Sequence, residues 1–190
     1  MDQRSRCDWV NTAKDYYVTY HDEEWGVPVH EDQRHFEFLL LEGAQAGLNW
    51  DTVLRKREGY RQAFDQFNPS LVAAYGTEKI AALCHDSGIV RNRLKIASAV
   101  RNAQIFLAIQ EEFGRFDDYI WRFVGGRPRI NGWKSWSEIP ATSPESDALS
   151  KDLRQRGMKF VGSTILYAHM QATGLVMDHT VDCFRYRDLS

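Results

Sequence analysis

Long apolar runs are missing from this chain. No stretch of its 190 residues approaches the ~20 consecutive apolar positions of a membrane-spanning helix. The opening MDQRSRCDWV carries no apolar stretch behind its charges, so no secretory signal is visible and a cytoplasmic protein is expected. Cysteine is scarce. Cys7, Cys84 and Cys183 make three, an odd number that cannot pair completely. In a reducing compartment no disulfide framework is expected. A strong excess of one charge is also lacking. The formal net charge is −2, which argues mildly against a protein that holds nucleic acid by bulk positive charge. Internal repeats, low-complexity tracts, linkers and alternating strand patterns are absent. What remains is an ordinary globular composition, 43% hydrophobic and 26% charged, long enough to bury a core. A single all-α domain spanning 1–190 is expected, and nothing suggests more than a monomer.

The first 30 residues read as irregular but aromatic, with Trp9, Tyr16, Tyr17, Tyr20 and Trp25 closed by Gly26-Val27-Pro28. That is too much aromatic surface for a disordered tail. Helical periodicity follows over Asp32 to Gly47 and from an Asn49 cap to Phe67, where Asn68-Pro69 breaks it. A short turn over 70–75 and a helix capped by Thr77 and running through Cys84 come next. A long amphipathic helix from about Arg91 to Phe113 and a short one from Phe116 to Val124 lead to a structured loop over 125–143. Ser143 caps a helix to about Arg156, and Ser163 caps another ending at Gly174. Cys84 reads as a core cysteine.

The most apolar run, Phe36 to Trp50 (FEFLLLEGAQAGLNW), carries a carboxylate in its middle. At helical spacing Glu42 has Phe38, Leu39, Gln45 and Ala46 as its neighbours. Either it sits at a solvated edge, or it is buried and wants a partner, because an unpaired buried charge is costly.

Two further groupings stand out. Cys7 and His21 lie near one end of the chain, and His179 and Cys183, four apart, near the other. Two Cys and two His can close a tetrahedral zinc site with no open position. The plainer alternative is a buried Cys7 and a surface His21. The six residues Gly157 to Gly162 separate the two C-terminal helices and hold Lys159, with Arg154 and Arg156 just before them. A tight glycine-bounded turn at a helix start offers free N–H groups to a phosphate, or it is an ordinary helix corner. Other basic clusters, Arg55 to Arg57 and Arg91 to Lys95, read equally as solvated faces.

Taken together, YHDEEWGVP (Tyr20 to Pro28), LEGAQAGLNW (Leu41 to Trp50) and KFVGSTILYAHMQATGL, with Asp178-His179 shortly after, resemble the 3-methyladenine DNA glycosylase I family. The likeness runs in order from Cys7 to Cys183. It implies the helix–hairpin–helix glycosylase fold, with the hairpin over about 144–174 and the termini joined by one structural zinc held by Cys7, His21, His179 and Cys183. It implies a base pocket with Glu42 as the catalytic carboxylate, Trp50 and Tyr20 stacking on the base, and Tyr17 and Trp25 as walls. Lys159, Phe160, Val161, Gly162 and Ser163 would hold the DNA backbone. It implies monofunctional excision of 3-methyladenine, with 3-methylguanine a second substrate class, from double-stranded alkylated DNA. No redox cofactor is implied. The family lacks the superfamily's usual catalytic Asp, and Asp178, beside a zinc ligand, is not assigned as a base. Met177 and His169 depart from the family's common Asn and Phe.

The chemistry suits these residues. An adenine alkylated at N3 is cationic and leaves C1′ readily, so a strong nucleophile is dispensable and selection is the main task. A carboxylate complements the charge, and aromatic faces above and below attract a cation by about 0.5–2 kcal/mol each. Two rival readings are a non-catalytic zinc-stabilised binder of damaged DNA and a small-molecule metallohydrolase with an open zinc position.

Overall fold

The helix over Asp32–Gln45 has apolar side chains on nearly every side, and such a helix has to be buried. The computed structural model describes residues 4–190; the first three residues of the expected N-terminal segment lie outside it. In chain order its helices are α1 (Asp15–Thr19), α2 (Asp32–Gln45), α3 (Trp50–Arg55), α4 (Arg57–Ala63), α5 (Pro69–Ala73), α6 (Thr77–Leu83), α7 (Arg93–Phe113), α8 (Phe116–Trp121), α9 (Pro144–Gln155), α10 (Ser163–Ala172) and α11 (Phe184–Leu189). Every residue of α2 from His35 to Ala44 is buried. Helices α3, α7, α8 and α10 pack around it. Phe36, Leu41, Phe106, Phe116, Leu166 and Met170 belong to one apolar core. Phe106 and Phe116 stack with ring centroids 4.1 Å apart.

Both ends of α2 are tied. The Asp32 carboxylate accepts the backbone N–H groups of Phe116 and Asp117 at 2.8 and 2.9 Å, so it caps α8. At the other end the Lys95 ammonium donates to the Ala44 and Ala46 carbonyls at 2.7 and 2.5 Å, filling acceptors that a helix end leaves open. Burial pushes the Lys95 pKa down. The helix is thus fixed in place over the turn that carries Glu42.

Several sequence expectations change. The single helix expected from Asn49 to Phe67 is broken into α3, α4 and a 3-10 turn over Asp65–Phe67. The break aims Arg57 inward, where it donates to both Glu24 and Glu37 at 2.8–2.9 Å. Glu37 is buried and also accepts from Arg34 and Arg61, so its charge is compensated. Thr77 and Ser163 are not caps but first helical residues, after Gly76 and Gly162. Ser163 Oγ instead hydrogen-bonds Ser146 Oγ on α9 at 2.8 Å. Ser143 does cap α9, in a reciprocal capping box with Ser146. Two strands too short to show alternation, β1 (Arg129–Ile130) and β2 (Val176–Met177), pair in parallel. The N-terminal segment is partly ordered by α1 and a π-helical turn over Tyr20–Glu24. The tail ends in α11. Cys84 is only half-buried, packed at the margin of the core. No helix of the described residues is long and apolar enough to cross a membrane.

His169 is the least comfortable residue of this core. It is fully buried, and among the described residues neither ring nitrogen has a hydrogen-bond partner. Its ring lies 5.6 Å from that of His35, whose Nδ1 is also unpaired. Burial holds the His169 pKa well below the usual 6.5. The unfolded chain therefore binds a proton below that pH that the folded chain refuses, so stability is lost as pH falls through about 6.5. His169→Phe is expected to raise stability by about 1–3 kcal/mol and to flatten the acid side of the profile. Urea midpoints at several pH values check this; an equal or lower midpoint at every pH contradicts it.

Candidate functional site: an aromatic pocket on a buried carboxylate

Glu42 lies on the fully buried face of α2 and is 3% exposed. Among the described residues it makes no hydrogen bond or ion pair. Burial alone pushes its pKa up from 4.5 to about 8. The carboxyl faces a cavity of about 230 Å³, lined also by Trp9, Tyr17, Tyr20, Trp25, Gln45, Trp50, Trp136, Ala168 and Gln171. The sequence-derived pocket residues Tyr17, Tyr20, Trp25, Glu42 and Trp50 are therefore brought together. Tyr20 enters the pocket from the π-helical turn over Tyr20–Glu24. Both Tyr20 and His21 are buried in it, Tyr20 lining the pocket and adjacent His21 joining the Cys/His cluster described below. Burial, reinforced by the charge of Glu42, holds the Tyr20 phenol well above 10, so it keeps its proton.

The aromatic arrangement differs from opposed faces. Tyr20 and Trp50 touch each other, centroids 5.4 Å apart and planes tilted by 47°, so they form one corner and leave no gap for a base between them. Trp9 joins this corner to the rest of the wall: its ring centroid lies 6.3 Å from that of Tyr20, and it stands edge-on to Tyr17 at 5.6 Å and to Trp25 at 5.1 Å. Sequence reasoning missed Trp9, Gln45, Trp136 and Gln171. Trp9 sat in the recognised aromatic run and could have been found there. Trp136 sits in an irregular loop whose course no periodicity reveals.

Asp178 is buried and accepts four hydrogen bonds. Asn131 and Trp133 donate to Oδ1 at 2.8 and 2.7 Å, and Tyr167 and Gln171 to Oδ2 at 2.6 and 2.8 Å. A carboxylate so occupied is a structural knot, which gives the physical reason not to count it as a general base.

Cys7, His21, His179 and Cys183 are all buried, and their donor atoms lie within 4.8 Å of one another. His179 and Cys183 are brought together by a turn rather than by a helix. Cys7 Sγ and Cys183 Sγ each lie 3.5 Å from His179 Nδ1, and Cys183 Sγ lies 3.5 Å from His21 Nε2. The outer nitrogens are fixed. His179 Nε2 donates to the Trp25 carbonyl at 2.9 Å, and His21 Nδ1 pairs with Asp22 at 2.8 Å. Each imidazole thus turns its lone pair inward, as metal ligands do. The Cys7–Cys183 contact pushes the Cys7 thiol up and the Cys183 thiol down. Two sulfurs, two imidazoles and no opening to solvent fit a closed metal site, and these four residues could hold one ion. His179 also stands edge-on to Trp25 at 4.6 Å, which links this cluster to the pocket wall.

The hairpin between α9 and α10 turns at Gly157 (φ +98) and Phe160 (φ +55). The Lys159 N–H is not free: it donates to Asn102 Oδ1 at 2.9 Å, while Asn102 Nδ2 donates back to the Lys159 carbonyl at 2.8 Å. Among the described residues no hydrogen bond takes the N–H groups of Phe160, Val161 or Gly162. A Cβ on Gly162 would come within 3.2 Å of the Arg154 guanidinium, which places that cation at the turn. Arg156 is committed to Asp152 and Glu112.

The methyladenine glycosylase family model matches residues 9–186. DNA-3-methyladenine glycosylase 1 of Escherichia coli (strain K12) is 48% identical over 181 residues, which are 95% of this chain and 96% of that protein. A crystal structure of 3-methyladenine DNA glycosylase I is 49% identical and superposes with a TM-score of 0.91 over 95% of this chain and 98% of that one. The Staphylococcus aureus 3-methyladenine DNA glycosylase I, solved for the structural basis of 3-methyladenine recognition, is 33% identical. It superposes with a TM-score of 0.92 over 96% of this chain and 97% of that one. This chain belongs to the methyladenine glycosylase family.

Proposed function

We propose that this protein excises 3-methyladenine from double-stranded alkylated DNA by hydrolysing its N-glycosidic bond, with no lyase step, as one glycosylase domain. The observation that carries this is Glu42, a buried carboxyl with no protein partner at the base of an aromatic pocket. A cationic base supplies the missing partner. The carboxylate accepts the exocyclic amine and complements the charge, while Trp50, Tyr20, Tyr17 and Trp25 enclose the ring. Normal adenine, uncharged, gains less from each contact. Because the alkylated base leaves as a neutral molecule, no strong general base is needed, and none is supplied by Asp178, whose carboxylate is taken by four donors. Water attacks the sugar as positive charge develops there, and the DNA phosphates help to stabilise that charge.

The hairpin holds the DNA backbone. The N–H groups of Phe160, Val161 and Gly162 at the start of α10 point to a phosphate, with Arg154 and the Lys159 side chain beside them and Ser163 tied back to α9. Leu48 is 43% exposed in the loop between α2 and α3. It lines a groove together with Glu42, Thr164 and Ala168. An apolar side chain there fills the space that a flipped base vacates. The metal that suits two thiolates and two imidazoles in a closed site is one structural zinc, with Cys7, His21, His179 and Cys183 as ligands.

Incubation with methylated duplex DNA tests the function. Free 3-methyladenine is expected to be released while the strand stays intact until alkali is added. Leu48→Gly is expected to slow release from duplex by about tenfold or more, with little effect on single-stranded substrate. Tight DNA binding without released base would favour a non-catalytic damage binder instead.

A further inference from the structure

Gln171 lies on α10 one turn beyond Ala168, and both line the pocket beside Glu42. Its Nε2 donates to Asp178 Oδ2 at 2.8 Å. A carboxylate accepts and does not donate, so it can hold the nitrogen end of that amide and not the oxygen end. The other donors to Asp178 are Tyr167, Asn131 and Trp133, and none of them can take the place of that amide without leaving a lone pair unfilled. The amide is therefore locked in one of its two orientations. Gln171 Oε1 has no hydrogen bond among the described residues, yet it is not sealed from solvent. The surface left to this residue, 8% of its total, faces the pocket. An acceptor with no partner among the described residues is thus presented in the same pocket as the carboxyl of Glu42.

We propose that Gln171 is a specificity-determining residue of the pocket, its carbonyl oxygen held inward by Asp178 to accept an N–H of the amino group of the bound base. An exocyclic amine has two hydrogens, and the pocket offers two acceptors, Glu42 and Gln171. A base with a carbonyl at the same edge could still be met by the protonated Glu42 carboxyl, but it brings oxygen against the amide oxygen of Gln171, which has no proton to give, and leaves that acceptor unpaired. Asp178, which touches no base, is a positioning residue. The inference rests on the proposed function, because it takes the pocket to be a site for the alkylated base.

The test uses quenching of pocket tryptophan fluorescence by free 3-methyladenine and by 3-methylhypoxanthine, which carries a carbonyl in place of the amine. The wild-type protein is expected to prefer 3-methyladenine. Gln171→Met keeps the length of the side chain and removes the acceptor; it is expected to reduce that preference about tenfold. Asp178→Asn frees the amide to flip and is expected to lose a similar part of the preference, with no further loss in the double variant. If Asp178→Asn does not fold, Gln171→Met alone decides. A preference unchanged in Gln171→Met overturns the proposal. Binding of 3-methyladenine by the wild type with no preference over 3-methylhypoxanthine overturns it too, while leaving the proposed function standing. A wild-type protein that binds neither base overturns both.

Discussion

Glu42→Gln is expected to excise 3-methyladenine about 10²–10³-fold more slowly while binding duplex DNA with nearly wild-type affinity. The same change is expected to make the protein more stable. The reason lies in the displaced titration of Glu42, whose carboxyl burial moves from 4.5 to about 8. The folded chain then holds a proton that the unfolded chain has already released. Stability accordingly falls as pH rises from about 4.5 to about 8, and at neutral pH the cost amounts to about 3 kcal/mol at most. The neutral amide escapes most of that cost, so a gain of about 1–3 kcal/mol at pH 7 is expected, visible as a higher melting temperature. Activity has its own pH signature. Below about 8 the pocket carboxyl is protonated before a cation arrives, and the arrival expels the proton. The apparent second-order rate of excision should rise with pH and level off above about 8, and the rise should be missing in the Gln variant. Single-turnover excision and thermal melts across pH 5–9 read both effects. A variant with wild-type rates, or one that is both slow and less stable, contradicts the assignment.

Breaking the Cys/His cluster is expected to have the largest effect on stability. His179→Ala or prolonged chelation should cost several kcal/mol, on the scale at which structural zinc supports folding. The loss should not stay local. His21 adjoins Tyr20, His179 lies edge-on to Trp25, and Cys7 is two residues from Trp9, so the pocket wall is anchored through the residues of this cluster. Loss of metal should therefore release the aromatic segment, change tryptophan fluorescence and abolish base binding together with the fold. Elemental analysis should find one metal ion per chain, lost slowly and in step with unfolding. Rapid removal of the ion with the fold intact and excision stopped would point to catalytic metal. A metal-free variant with an unchanged melting temperature would remove the structural role.

Much of this architecture is legible in the sequence, and what is hidden has physical reasons. The burial of α2 follows from apolar residues on every side of the helix, and the oddity of Glu42 follows from the same pattern. The C-terminal helix pair announces itself through glycines and the Ser143 cap. The split of the Asn49–Phe67 helix does not, because it depends on a distant pair, Arg57 with Glu24 and Glu37, and not on local propensity. Ser163 looks like a cap from sequence, yet its hydroxyl is drawn to Ser146, a tertiary contact. β1 and β2 are too short for alternation to be seen. The meeting of Cys7 and His21 with His179 and Cys183 is a long-range event that spacing can only suggest. The orientation of Gln171 is hidden for the same reason, since it depends on what Asp178 accepts.

The most direct test is the carboxyl titration of Glu42, followed by carbon-13 NMR in the free protein and in the presence of saturating 3-methyladenine. In the free protein the midpoint is expected near 8, as burial without a partner requires. With the base bound, the carboxyl is expected to remain ionised to markedly lower pH, because the N–H donors of the base now face it and favour the carboxylate form. A midpoint in the ordinary carboxylate range in the free protein, or one that does not move when the base binds, would contradict the assignment of Glu42 as the partner of the alkylated base.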